Sequence, residues 1–332
     1  MMIKSKLIFF FLMTIKFCHA AVFDLPSNEQ DVIGSVSSVK ATHEDTLVDI
    51  ARRHGLGYLD IVRANPDVNP WLPGEGAKII LPNKFILPPG PRKGLVLNLA
   101  EYRMYYYPET LSGESPKVHT YPISIGKINW ETPTGLAKVV AMAKNPAWYP
   151  PQSVRDEHAA EGDFLPRVVH PGPDNPLGTR VLRLNMPGYL IHGTNRPAGV
   201  GMRVSHGCIR MFPEDIEFLY DQINIKTVVR IIDVPIKIGW DGDNIVAEAH
   251  QPLEKPQAHQ TEEGYASTLS SADELVNNEI THKDPMTYIT EQFVSATKNR
   301  SGKLDWKIIE NVTNHLDGIP VIVGKSLSEL ND

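Results

Sequence analysis

The chain has 332 residues, of which 42% are hydrophobic and 8% aromatic, enough to form extended hydrophobic cores in two or three domains. Its formal net charge is −6, and no segment forms a basic face, which argues against a nucleic-acid-binding protein. Cys18 and Cys208 are its two cysteines, so a disulfide-rich scaffold is excluded.

The first 20 residues are typical of a cleaved secretory signal. Two lysines precede an apolar run from Leu7 to Ile15, and the small residue Ala20 closes the segment. The run is shorter than the roughly 20 residues that a membrane-spanning helix needs. We therefore expect residues 1–20 to be a signal peptide removed after Ala20. Its loss would remove Cys18 and leave an exported chain with one cysteine and no transmembrane segment.

Residues 38–83 show the order strand, helix, helix, strand. Asp45 or Thr46 can cap a first helix whose apolar residues follow at helical spacing. A second short helix ends before Pro66, and a short strand is predicted over 78–82. The pattern predicts a small α/β domain.

Residues 85–93 are rich in proline and glycine and are predicted to form a linker. Beyond it, short β-rich segments broken by Gly, Pro and Asn predict strands over 94–99, 103–108, 118–126, 137–143, 181–186, 189–194 and 227–235. One amphipathic helix is predicted over 212–223, with Pro213 in its first turn. Residues 92–235 are thus expected to be a mainly β domain.

Residues 240–332 differ in character. Strands are predicted over 244–250 and 319–324, and helices over 286–299 and 305–316, the second capped by Asp305. The stretch 252–283 is polar without periodicity, which predicts a flexible insert. We expect a small α+β C-terminal domain with no catalytic cluster.

Cys208 is the candidate nucleophile. A free thiol is readily oxidised in an oxidising compartment, so its presence there suggests a functional role. The alternative is that Cys208 is an inert core residue. His206 and Arg210 flank this thiol in the sequence, and such neighbours favour the thiolate. His192 ends a predicted strand, and Gly193 lets the chain turn back towards Cys208.

Gly207 permits a sharp bend before Cys208, so that the two backbone amides can face a substrate carbonyl. The sequence therefore predicts a cysteine acyl-transfer site with a histidine base. An alternative interpretation is a zinc site formed by His192, His206 and Cys208.

His192 followed by Ser205-His206-Gly207-Cys208-Ile209-Arg210 resembles the signature of the L,D-transpeptidase family, which has a YkuD-type catalytic domain. The segment 123–135, with Gly126 and Thr132, is similar to the ErfK/YbiS/YcfS/YnhG subgroup. Residues 38–83 resemble a LysM peptidoglycan-binding module.

This resemblance implies a β-sandwich-like catalytic fold, with Cys208 as nucleophile and His192 as base. The Gly193 carbonyl would orient the imidazole. Further residues are implied to shape the substrate pocket: Ser205, His206, Gly207 and Arg210. Ser205 and His206 have the alternative role of bracing the turn, and Arg210 that of a structural salt bridge. No metal or cofactor is expected.

The implied partner is peptidoglycan in the periplasm, bound through its tetrapeptide stems and through its glycan at the LysM module. The acceptor of the acyl group stays open between a second diaminopimelate, the lysine of an outer-membrane lipoprotein, and water, which would make the enzyme an L,D-carboxypeptidase. A non-catalytic LysM wall-binding protein is the alternative from another functional class.

Overall fold

The structure, a computed structural model, describes residues 21–254 and 284–327. The predicted signal peptide 1–20 lies outside the described residues, as does most of the predicted insert 252–283. No helix in the described part of the chain is long and apolar enough to cross a membrane. The described chain is mainly β, as predicted.

The strands, in chain order, are β1 Ala21–Asp24, β2 Val32–Lys40, β3 Lys78–Ile86, β4 Gly94–Asn98, β5 Arg103–Tyr107, β6 Lys117–Pro122, β7 Ile125–Gly126, β8 Gly135–Lys144, β9 Arg180–Leu184, β10 Leu190–His192, β11 Arg203–Ser205, β12 Ile209–Arg210, β13 Val228–Ile232, β14 Ile236–Asp241, β15 Asn244–Ala249, β16 Gly302–Leu304 and β17 Val321–Ser326. The helices are α1 Leu47–Arg53, α2 Tyr58–Ala64, α3 Gln152–Ala160, α4 Pro213–Gln222, α5 Pro285–Ala296 and α6 Trp306–His315, with a 3₁₀ turn at Pro197–Gly199.

A nine-stranded sheet carries the catalytic region, in the order β1-β6-β5-β4-β13-β8-β9-β10-β12. β13 lies at its centre, parallel to β4 and antiparallel to β8. On one face, side chains of β4, β13, β10 and β12 pack with Ile216 and Leu219 of α4 in a single hydrophobic cluster. Pro213 is the first residue of α4, and two acidic residues occupy its first turn. Their negative charges stabilise the helix by interacting with the positive end of its dipole.

The first unit consists of the β2–β3 hairpin with α1 and α2 between its strands. Thr46 caps α1: its hydroxyl accepts from the Asp49 amide, and the Asp49 carboxylate accepts from the Thr46 amide. Strand β2 begins at Val32, six residues before the predicted start of the unit.

This first unit is not separated from the sheet by a free linker. Phe85 and Ile86 end β3 and are buried, and the Leu87 amide donates to the Asp31 carbonyl, so the proline-rich stretch is fixed at its start. Residues of α1 and α2 share one hydrophobic cluster with Val96 and Tyr105 of β4 and β5. Residues 87–93 form no helix or strand and connect the first unit to β4. Phe85 and Ile86, which the linker prediction over 85–93 included, instead end β3, because their apolar side chains pack into the core.

Polar contacts reinforce this junction. Arg52 of α1 makes two hydrogen bonds of 2.7 Å to the carboxylate of Glu214, at the start of α4. The Tyr58 amide donates to the Val200 carbonyl at 3.0 Å, in the loop between the two candidate catalytic residues. The first unit thus supports the chain segment that leads to Cys208.

The C-terminal unit has a four-stranded sheet, in the order β14-β15-β17-β16, covered by α5 and α6. The Asp305 carboxylate caps α6 by accepting from the amides of Lys307 and Ile308, as predicted. A separate hydrophobic cluster forms between this sheet and the two helices.

A buried ionic cluster joins all three units; its members are Glu101, Lys237, Glu248 and His250. The Lys237 ammonium lies 2.5 Å from Glu101 and 2.9 Å from Glu248, and it donates to the Ile86 carbonyl at 2.6 Å. His250 lies 2.7 Å from Glu248. Glu101 follows β4, Lys237 and Glu248 belong to the C-terminal sheet, and Ile86 belongs to the first unit.

Glu248 predicts a specific dependence of stability on pH. Its pKa falls from 4.5 to about 2: burial opposes this change, and the Lys237 charge and the His250 hydrogen bond outweigh burial. Because the pKa is lower in the folded state, the contribution is present above about pH 4.5 and disappears as the pH falls towards 2. Urea unfolding of Glu248→Gln and the parent should therefore differ most near pH 7 and converge as the pH approaches 2. A difference that is constant with pH would contradict this assignment.

Candidate active site

The register of two parallel strands brings the candidate catalytic residues to one face. His192 of β10 is paired with Arg210 of β12, and the preceding pair is Ile191 with Ile209. Both isoleucines are buried in the cluster that packs on α4. Because side chains alternate along a strand, His192 and Arg210 lie on the opposite face. Cys208 directly precedes β12, and the Arg210 charge acts on both the His192 imidazole and the Cys208 thiol, so the three side chains lie close together.

The His192 imidazole is fixed by its own backbone. Its Nδ1 lies 2.6 Å from the Gly193 carbonyl oxygen. A carbonyl only accepts, so Nδ1 carries the proton and Nε2 keeps a free lone pair. Burial lowers the pKa of His192 to about 3, and the nearby Arg210 charge adds to this effect. The imidazole is therefore neutral near pH 7 and able to accept a proton.

The turn before Cys208 is held by hydroxyl groups. The buried Ser205 hydroxyl donates to the Cys208 carbonyl at 2.5 Å, and the Thr132 hydroxyl donates to the Gly207 carbonyl at 2.8 Å. Thr132 also accepts from the Gly126 amide at 3.0 Å. Gly207 has a φ of +96°, which strongly favours glycine, and a Cβ there would lie 3.0 Å from Tyr189. Ser205 thus braces the turn, one of the two roles considered for it.

The pKa of the Cys208 thiol is raised, whereas the sequence predicted a lowered pKa. Its side chain is partly exposed, and Sγ lies 3.5 Å from the Gly188 carbonyl oxygen. Burial raises the pKa of the thiol, and this increase is opposed by a backbone hydrogen bond from Leu190 and by the Arg210 charge. Arg210 thus favours the thiolate as expected, but burial has the larger effect and His192 is neutral, so the expected lowering of the thiol pKa was wrong for the free protein.

This correction gives a measurable expectation for alkylation. The rate of reaction of Cys208 with iodoacetamide should rise with a midpoint above 9.0, the ordinary value for this group. Arg210→Met should move the midpoint higher, because it removes a charge that favours the thiolate. His192→Ala should move it little. The same thiol in urea-unfolded protein gives the reference, and a folded midpoint below that reference would indicate a thiolate–imidazolium pair instead.

Arg210 brings a partly buried positive charge to the same face. Burial lowers its pKa, and its Nε has no hydrogen-bond partner in the described part of the protein. Within residues 21–254 and 284–327, no carboxylate forms an ion pair with it. The alternative role as a structural salt bridge is thus not found, and the guanidinium is available for a ligand carboxylate.

His206 contacts α3, a helix that was not predicted from the sequence. Its Nε2 lies 2.9 Å from the Glu157 carboxylate of α3, and its ring packs edge-on against Trp130 at 5.0 Å. Glu157 also bonds Lys127. The proline before Gln152 and the helix-forming residues after it were a signal for α3. His206 therefore braces the turn through α3.

Ligand atoms for zinc do not converge here. His192 uses Nδ1 for Gly193, and His206 uses Nε2 for Glu157. Among the described residues, the group that brings possible ligand atoms within 4.8 Å of one another is Glu101, Glu248 and His250 in the buried ionic cluster. There the Lys237 ammonium already lies between the carboxylates. The zinc interpretation of His192, His206 and Cys208 was thus wrong.

Comparisons with known proteins agree with this geometry. Residues 92–231 match the family model of the YkuD L,D-transpeptidase catalytic domain. The chain is 41% identical to the probable L,D-transpeptidase YcfS of Escherichia coli over 63% of this chain, and it spans 65% of that protein. It is 37% identical to the probable L,D-transpeptidase ErfK/SrfK of Salmonella typhimurium, over 75% of this chain and 81% of that protein.

A longer match extends the likeness beyond the catalytic region. The probable L,D-transpeptidase YbiS of Escherichia coli is 34% identical over 85% of this chain and 90% of its own length. That match reaches well outside residues 92–231, and its identity is sufficient to establish kinship. The matched region, residues 92–231, contains both His192 and Cys208. The chain belongs to the L,D-transpeptidase family of enzymes.

Proposed function

We propose that this enzyme transfers the acyl group of a peptidoglycan tetrapeptide stem through a thioester on Cys208. The observation that carries the proposal is the hydrogen bond of 2.6 Å between His192 Nδ1 and the Gly193 carbonyl. It leaves Nε2 unprotonated on a strand that pairs with β12, which begins directly after Cys208. A neutral thiol and a neutral imidazole are the starting state for general-base catalysis.

In the first half-reaction, Cys208 Sγ attacks the carbonyl at the L-centre of diaminopimelate. His192 Nε2 takes the thiol proton as the C–S bond forms. The C–N bond to the terminal D-Ala then breaks, and the imidazolium gives its proton to the departing amine. A thioester and free D-Ala result.

The tetrahedral intermediate needs donors for its oxyanion. The structure shows no hydrogen bond from the amides of Gly207 and Cys208 to another described residue. Both amides lie in the turn held by Ser205 and Thr132. A fixed donor of this kind contributes roughly 10²–10³ in rate.

In the second half-reaction, an amine attacks the thioester, loses its proton to His192, and releases the thiol. The acceptor is a second diaminopimelate side chain, which yields a 3→3 crosslink, or the lysine of an outer-membrane lipoprotein. With water as acceptor, the same intermediate gives a carboxypeptidase. Arg210 binds a carboxylate of the donor stem, because its Nε is unpartnered beside the thiol.

We assign the first unit as a LysM module that binds the glycan, and residues 1–20 as the signal that directs export to the periplasm. The exposed Trp71, which packs beside Tyr58 with ring centroids 6.2 Å apart, is a suitable sugar-stacking surface. Because the unit shares its core with the sheet, its binding is better tested by Trp71→Ala than by deletion. Retention on insoluble peptidoglycan should fall in this variant.

The proposed reaction is tested by mass spectrometry of muropeptides after incubation with purified sacculi. The expected products are free D-Ala and crosslinked stems that gain the mass of a second muropeptide. A lipoprotein C-terminal peptide added in parallel identifies the other acceptor. Tripeptide stems without crosslinks would show that water is the acceptor, and unaltered tetrapeptides would contradict the proposal.

A further inference from the structure

A groove of about 570 Å³ lies where the first unit meets the catalytic sheet. We call it the junction groove and define it by Tyr58 and Arg63 of α2, Tyr102, Arg203 of β11, and Leu253. Its lining includes neither His192 nor Cys208, nor any member of the buried ionic cluster. Its walls come from both units, so the packing of the first unit onto the sheet creates it.

Two guanidinium groups give this groove its charge. Arg203 donates to the Gly126 carbonyl at 3.1 Å and to the Glu254 carbonyl at 2.7 Å, and both acceptors are neutral backbone groups. Arg63 forms no ion pair with any carboxylate in the described ranges. Lys127 also lines the groove, but its ammonium is paired with Glu157.

Both arginines line the groove together with Tyr102. Burial raises the pKa of the Tyr102 phenol. The charges of Arg63 and Arg203 oppose this increase and those of Asp233 and Glu254 add to it, so both guanidinium groups and two carboxylates lie near this ring. The carboxylate that lines the groove is that of Glu254, an exposed residue at its rim. The groove lining itself carries Arg63 and Arg203 against the carboxylate of Glu254, with Lys127 already paired, and this balance favours an anionic ligand. A guanidinium matches the fork of a carboxylate.

The rest of the lining is apolar. Leu59 and Leu253 are partly buried hydrophobic residues that pack against the main cluster, and Met202 and Tyr58 complete the wall. A ligand that fits both surfaces carries carboxylates on an aliphatic body. A peptide stem built of alanine and diacid residues has this chemistry, whereas a neutral glycan does not.

Hydrogen bonds connect the groove to the catalytic turn. Arg203 bonds the Gly126 carbonyl, the Gly126 amide bonds the Thr132 hydroxyl, and that hydroxyl bonds the Gly207 carbonyl. On the other side, the Tyr58 amide holds Val200, three residues before Arg203. A peptide in the groove is therefore held by the same framework that positions Cys208.

We propose that the junction groove binds the carboxylate-bearing peptide stem that accepts the acyl group from Cys208. This inference rests on the proposed function. The donor stem is assigned to Arg210 on the catalytic face, so a second stem needs a second cationic surface, and the junction groove supplies one with Arg63 and Arg203. The first unit thereby contributes to acceptor choice besides any role in glycan binding.

Arg63→Gln tests the proposal with the full-length protein, because Arg63 has no ion pair to lose among the described residues. A soluble tetrapeptide serves as donor, and a second tetrapeptide with free carboxylates serves as acceptor at varied concentration. The ratio of crosslinked to hydrolysed product should fall about tenfold at subsaturating acceptor, the loss expected for one charge-assisted hydrogen bond. Arg63→Glu should lower the ratio further.

Two controls separate the possible causes. Lys40→Gln removes one positive charge from an exposed position outside the groove and should leave the ratio at the parent value. An acceptor whose carboxylates are converted to amides should give the parent and Arg63→Gln the same ratio. An unchanged ratio for Arg63→Gln and Arg63→Glu, with normal acyl-enzyme formation, would overturn the groove assignment alone. Absence of an acyl-enzyme in the parent would instead overturn the proposed function.

Discussion

Replacing Cys208 with alanine is expected to reduce release of D-Ala from a tetrapeptide by roughly 10⁴-fold or more, because no other group can form the thioester. The fold should survive. Ser205 and Thr132 hold the turn through the carbonyls of Cys208 and Gly207, and alanine retains its carbonyl. The melting temperature of the variant should therefore stay close to that of the parent, while the activity disappears.

His192→Ala should lose roughly 10²–10⁴ in rate, the range for a general base, with less effect on binding. A carbapenem offers a second readout, since its lactam acylates a reactive thiol. Intact-mass spectrometry should show one adduct on the parent and none on Cys208→Ala. D-Ala release at the parent rate by Cys208→Ala, or an adduct that persists in it, would contradict the assignment of the nucleophile.

Lys237→Met is expected to lower the free energy of unfolding by about 3–5 kcal/mol near pH 7. The ammonium is buried and lies within hydrogen-bonding distance of Glu101, Glu248 and the Ile86 carbonyl. Methionine preserves most of the aliphatic volume but leaves two buried carboxylates without their cation, and such a loss costs about this amount. Urea unfolding followed by tryptophan fluorescence measures the change.

Lys84→Met is the matched control for this loss. Lys84 of β3 pairs with Asp241 of β14 at 2.9 Å, so it also joins two units, but both side chains are partly exposed. A solvated pair of this kind contributes about 0–1 kcal/mol. Equal destabilisation by the two substitutions would show that the buried ionic cluster has no special role.

Local signals in the sequence were sufficient to predict most helices and strands. Thr46 and Asp305 are side-chain caps, Pro213 starts α4, and the apolar strands of the catalytic region occur close to their predicted bounds. His192 was also predicted to end a strand, and it is the last residue of β10. These features depend on neighbours within a few residues, which the sequence displays directly.

Features that depend on distant contacts were missed. The proline-rich stretch looked like a linker because nothing local reveals that Phe85 packs beside Arg103, whose guanidinium lies 4.1 Å from its ring centroid. The acidity of Cys208 was misjudged for the same reason: a flanking histidine in the sequence is not a charged neighbour in space. His206 turns towards Glu157, and the buried His192 is neutral.

The position of β13 in the nine-stranded sheet has a consequence for how the chain folds. In sheet order, β10 and β12 are joined to the β1-β6-β5-β4 half through β9, β8 and β13, and a bridge between Ser124 and Arg210 also links β12 to the chain just after β6. Leu95 of β4 pairs in parallel with Val229 of β13, which lies far later in the sequence. Closing so long a loop is entropically unfavourable and slows folding. The catalytic strands should therefore gain protection from hydrogen exchange late in refolding, together with β4, and not with the β2–β3 hairpin.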